Sequence, residues 1–73
     1  MDNVYGLTHV VGSSKTSLDD AIRNAVRTAA RTVRHLEWFK VEDIHGHIVE
    51  GDVGHFQVTV QLGFRYDEAG SGQ

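Results

Sequence analysis

The chain of 73 residues contains no cysteine and no proline. Without cysteine there are no disulfides, no thiolate nucleophile and no sulfur ligand for a metal, and nothing ties the chain to an oxidising compartment. Without proline there are no rigid linkers, which fits one continuous folding unit. No apolar run approaches the roughly 18 residues of a membrane span, and the opening Met1-Asp2-Asn3 carries no signal-peptide pattern. A cytoplasmic protein with no membrane partner is the expectation. Positive charge is also in short supply: seven Lys and Arg against ten Asp and Glu leave a net charge of −3, which argues against non-specific nucleic-acid binding. A phosphate-cradling glycine loop is missing too. Gly12-Ser13-Ser14-Lys15-Thr16 lacks its glycine spacing and its Gly-Lys-Ser/Thr ending, and reads instead as a strand-to-helix turn.

Size sets the next limit. A chain this short buries only about 60% of the surface its unfolded form exposes. With disulfides excluded, a metal or oligomerisation is the usual aid. The expectation is a single domain over residues 1–68, followed by a flexible tail at 69–73, Ala-Gly-Ser-Gly-Gln.

Three apolar patterns give the elements. Val4 to Val11 is rich in β-branched residues and runs into the turn signal Gly12-Ser13-Ser14, so it reads as a first strand. Leu18, Ala21, Ile22, Ala25, Val26, Ala29, Ala30 and Val33 recur at three- and four-residue steps, the mark of an amphipathic helix. Ser17 or Thr16 can cap it; Asp19 and Asp20 suit its positive end, and Arg31, Arg34 and His35 its negative end. Leu36 to Val49 is a long second strand, Glu50 to Gly54 a turn, and His55 to Tyr66 a third strand. In the third strand Phe56, Val58, Val60, Leu62 and Phe64 share the face that should meet the helix. The fold class is α+β in the order β-α-β-β, a three-stranded antiparallel sheet wrapped around one helix. Nothing in the sequence covers the far side of that sheet.

The far side carries the most informative residue. Strict alternation groups Trp38, the only tryptophan, with Lys40 and Glu42 rather than with Phe39 and Val41. Large aromatics are seldom left in water without a purpose. Trp38 is therefore either a subunit contact or a platform for a planar ligand. Gln57 falls on the same far side, where an amide could meet the edge of a heterocycle. Thr59, Gln61 and Arg65 lie there as well.

Other signals are weaker. The five histidines include His45-Gly46-His47, two that face one side of a strand, but no third ligand follows at a diagnostic spacing, so no metal site is expected. Arg23, Arg27, Arg31 and Arg34 form a row whose plain reading is the solvated face of the helix. No nucleophile motif or paired carboxylates stand outside charged turns, so no catalytic residues are assigned.

The runs Leu36-Glu37-Trp38-Phe39-Lys40-Val41, His55-Phe56-Gln57-Val58-Thr59-Val60 and Gly63-Phe64-Arg65, with Gly46 and the opening Val10-Val11-Gly12-Ser13-Ser14, together resemble the dodecins. The resemblance extends from about Tyr5 to Glu68. It implies a non-enzymatic flavin store: a hollow homododecamer holding FMN or riboflavin, with flavins stacked between symmetry-related tryptophans. It further implies that Trp38 stacks on the isoalloxazine ring, that Gln57 bonds its pyrimidine edge, and that Arg65 lies at a ligand-contacting position. His45 departs from the pattern, since related bacterial sequences often carry arginine there. Some dodecins also bind coenzyme A, for which Tyr5, Thr28, Thr32 and Arg34 are the corresponding candidates. A purely structural oligomer with Trp38 as its contact residue is the alternative.

Overall fold

The structure, a computed structural model, describes residues 3–66. The tail expected at 69–73 lies outside the described residues. Four elements follow in order: β1 (Tyr5–Ser14), α1 (Leu18–Ala29), β2 (Leu36–Val49) and β3 (Asp52–Arg65). The strands form one antiparallel sheet with β3 in the centre, β1 on one edge and β2 on the other. The β-α-β-β order and the single three-stranded sheet are those expected.

The helix lies on β1 and β3, not on β2. Its small residues Ala21, Ala25 and Ala29 are buried against Val58, Val60 and Leu62 of β3, with Val10, Leu18, Ile22, Val26 and Leu36 packed around them. The approach is closest at Gly12, where any Cβ would run into the Ala21 carbonyl and the Ala25 methyl. For this reason Gly12-Ser13-Ser14, expected as a turn, continues β1 as its last residues: glycine there serves helix contact rather than chain reversal.

The turn proper is short and Ser14 organises it. Its hydroxyl donates to Asp20 Oδ2 at 2.8 Å and accepts from the backbone N–H groups of Thr16 at 2.9 Å and Ser17 at 3.3 Å. Ser17 is the N-cap, accepting from Asp20 N–H at 3.0 Å, and Asp19 and Asp20 sit in the first turn as expected. The other end differs from expectation. The helix stops at Ala29, Arg27 is the basic residue of its last turn, and residues 30–32 form a tighter turn. In that turn the N–H groups of Arg31 and Thr32 reach back three residues, to Thr28 and Ala29.

The hairpin is also tighter than expected. Only Glu50 and Gly51 form the loop, both with positive φ (52° and 78°), which is the two-residue type I′ connection. Asp52, Val53 and Gly54, read as turn residues from their composition, begin β3 instead. The register of β2 on β3 slips at three places: at Glu37, at Glu42 and at Gly54. The slips at Glu42 on β2 and Gly54 on β3 fall on opposite strands and cancel in length, so the hairpin still closes with two residues.

Candidate functional site

The bulge at Glu42 decides which side chains share the open face. Residues directly opposite in an antiparallel pair project to the same side. Trp38 is opposite Gly63, Lys40 opposite Gln61, Asp43 opposite Thr59, His45 opposite Gln57 and His47 opposite His55. Unbroken alternation from Trp38 would have turned His45 and His47 towards the helix side. On β1, Tyr5, Leu7, His9, Val11 and Ser13 oppose Arg65, Gly63, Gln61, Thr59 and Gln57, and complete the same face. Among the described residues no helix lies over it.

Trp38 is 42% exposed. Its indole lies across β3 at Gly63, where any Cβ would collide with the six-membered part of the ring system. Tyr5 leans on it from β1, the ring centroids 5.2 Å apart and tilted by 59°. Gly63 thus seats the indole and Tyr5 buttresses it. Beside this pair, Arg65 Nε lies 3.9 Å from Glu37 Oε2, and Lys40 and Gln61 fill the next row. Sequence reading assigned Tyr5 to coenzyme A and overlooked Gly63; a glycine opposite a tryptophan is visible only once the register is known.

Gln57 is on the expected face but not beside Trp38. Six residues of β3 separate it from Gly63, about 20 Å at ~3.3 Å per residue. Gln61, paired with Lys40, is the β3 glutamine in the rows next to Trp38. His45 belongs with Gln57, as its cross-strand partner, and its Nδ1 lies 2.8 Å from Asp43 Oδ2. The carboxylate accepts, so Nδ1 carries the proton and Nε2 faces outward from that pair. Trp38 and Arg65 therefore occupy one end of the face, and Gln57 and His45 the other.

Between the two ends runs a contact that no spacing could reveal. His9 Nδ1 on β1 lies 2.8 Å from Glu42 Oε1 on β2, spanning the central strand. Both groups are solvent-accessible, so the pair serves as a strap across the face rather than an enclosed acid-base centre.

The coenzyme A candidates are split by the sheet. Thr28 and Thr32 line a cleft of about 640 Å³ between α1 and the edge of β1, with Asn24, Ser13 and Val33. Arg34 lines a neighbouring hollow with His35 and Tyr66, and Tyr5 is on the opposite face of the sheet. One chain does not bring the four together. Arg23, Arg27 and Arg31 are exposed, as expected for a solvated helix face. Among the described residues no cluster of three or more metal-ligating side chains occurs, and no helix is long and apolar enough to cross a membrane.

Comparison with known proteins gives a consistent result. The family model for dodecin matches residues 4–67. The dodecin of Thermus thermophilus is 43% identical over 68 residues, covering 93% of this chain and 99% of that protein. Among solved structures, dodecin from Streptomyces davaonensis superimposes with a TM-score of 0.87 at 39% identity, covering 92% of this chain and 98% of the other. Dodecin from Streptomyces coelicolor gives 0.86 at 45% identity, with 90% and 94% covered. A family match spanning nearly the whole length, on a chain with this topology, means that the protein belongs to the dodecin family.

Proposed function

We propose that this protein binds and stores a flavin, FMN or riboflavin, in a hollow homododecamer, without catalysing a reaction on it. The observation that carries the reading is the seat of Trp38: an indole laid over Gly63, buttressed by Tyr5, on a sheet face that no other element among the described residues covers. A flat, electron-rich ring presented this way suits face-to-face stacking on an isoalloxazine. Membership of the dodecin family supports the same class of ligand.

The separation of Trp38 from Gln57 gives the assembly its role. About 20 Å along one strand is farther than a single fused three-ring system reaches, so one chain cannot stack and edge-bond the same flavin. The Gln57–His45 end of one copy must meet the Trp38 end of another. The exposed apolar residues of the hairpin, Phe39, Ile44, Ile48 and Val53 among them, are surface for such copies to cover. At the Gln57 end, a histidine braced by Asp43 stands where an arginine is frequent, which favours hydrogen bonding to a neutral ring edge over strong pairing with a phosphate. Storage suits a face whose histidine-carboxylate pair is accessible rather than enclosed.

The test is titration of FMN and riboflavin into flavin-free protein, followed by flavin fluorescence. Quenching at a fixed stoichiometry per chain is expected, and Trp38→Ala should weaken it by more than about 1 kcal/mol. Unquenched flavin with wild type would overturn the reading. If Trp38→Ala instead lowers the native mass while wild type never binds flavin, the protein is the structural oligomer.

A further inference from the structure

Four histidines lie on the open face, and the structure sorts them into two kinds. His9 and His45 each hold a carboxylate, Glu42 and Asp43 respectively, at 2.8 Å. His47 and His55 hold nothing of the sort. They are cross-strand partners near the hairpin turn, with ring centroids 4.4 Å apart and planes within 27° of parallel. Among the described residues, neither ring takes part in a hydrogen bond or an ion pair, so their nitrogens keep their lone pairs for something else. Sequence spacing paired His47 with His45, but hydrogen bonding pairs His45 with Asp43 and packing pairs His47 with His55.

We propose that His47 and His55 form a two-histidine chelate for a borderline divalent transition ion such as Zn²⁺ or Cu²⁺. Imidazole is the preferred ligand of this group of ions, and two rings on adjacent strands already lie face to face with their centroids 4.4 Å apart. Metal–nitrogen bonds of about 2.0–2.1 Å require the two ligating nitrogens to stand about 3 Å apart. Rotation of each ring about its Cβ–Cγ bond opens the stack towards that arrangement with no change in the strands. The surroundings suit a cation: Asp43, Glu50 and Asp52 are the acidic groups of this end of the hairpin, and no Lys or Arg lies between residues 41 and 64. Protein supplies two ligands, and water fills the remaining positions. The site is separate from the Trp38 platform and does not depend on the flavin reading.

Titration of ZnCl₂ into the tag-free full-length protein, followed by calorimetry, tests this directly. One ion per chain is expected, and His47→Ala and His55→Ala should each weaken binding at least about tenfold, the scale on which even outer-shell partners act. His45→Ala should leave the affinity near wild type. Electron paramagnetic resonance of the Cu²⁺-loaded protein should show coupling to two nitrogens, falling to one in either single variant. No binding by wild type would overturn the assignment, as would wild-type affinity in the His47→Ala and His55→Ala variants or a copper spectrum without nitrogen coupling. Flavin quenching measured on the same variants reports separately on the storage function.

Discussion

The two halves of the long hairpin have the same composition pattern and opposite fates. Where β3 passes under the helix, Val58, Val60 and Leu62 are buried to within 1% of fully. Where the hairpin runs past the helix, Ile44, Val53 and Ile48 occupy equivalent inward positions and remain exposed, Ile48 at 81%. No residue of β2 reaches the buried class. Alternation therefore records which side chains need cover, and says nothing about what supplies it. At the helix-backed end the cover comes from the same chain. At the other end it has to come from outside the described chain, if the apolar face is to leave water at all.

Four substitutions would sharpen or break that contrast. The largest effect belongs to Leu62→Ala, which opens a cavity in the core under the helix and should cost about 2–5 kcal/mol in denaturant unfolding. Its counterpart Ile48→Ala should change the unfolding of a single chain by less than about 0.5 kcal/mol. In sedimentation the order should reverse, Ile48→Ala shifting the protein to lower mass; equal losses of stability in the two variants would erase the distinction between the halves. Gly63→Val is intermediate. It forces a side chain under the Trp38 indole, with an expected cost of about 1–3 kcal/mol, a shift in tryptophan emission, and loss of FMN quenching comparable to Trp38→Ala. The remaining effect is a gain. Glu50 has φ of 52°, which asparagine tolerates better, so Glu50→Asn should raise stability by about 0.5–1 kcal/mol in thermal unfolding.

Much of this was legible beforehand, and the exceptions share a cause. The bounds of β2, the Ser17 cap and the Val58–Leu62 face follow from local pattern, because a strand's alternation and a helix cap are decided within a few residues. Gly12 and Gly54 were misread as turn residues, since a glycine needed for close helix approach or for a bulge looks the same in sequence as one needed for a reversal. The helix was expected to run on because Ala30 and Val33 keep its apolar period, while the three-residue hydrogen bonds that close it have no compositional mark. In the candidate site, Trp38 and Gln57 were placed on the correct face, but their spacing along β3 required the register. The His9–Glu42 strap joins residues 33 positions apart and left no local trace.

The paired bulges make chain length part of the site. Between Trp38 and the loop, the hairpin works like a ruler whose parity is reset at Glu42 and whose total is restored at Gly54. Pairing Glu42 into the ladder instead of bulging it would turn Asp43, His45 and His47 over to the helix side while leaving Trp38 in place. Pairing Gly54 in as well as keeping the Glu42 bulge would leave a three-residue loop in place of the two-residue turn. Side chains along the arm can therefore vary far more freely than the positions of the two bulges, which decide the face that every residue between them takes.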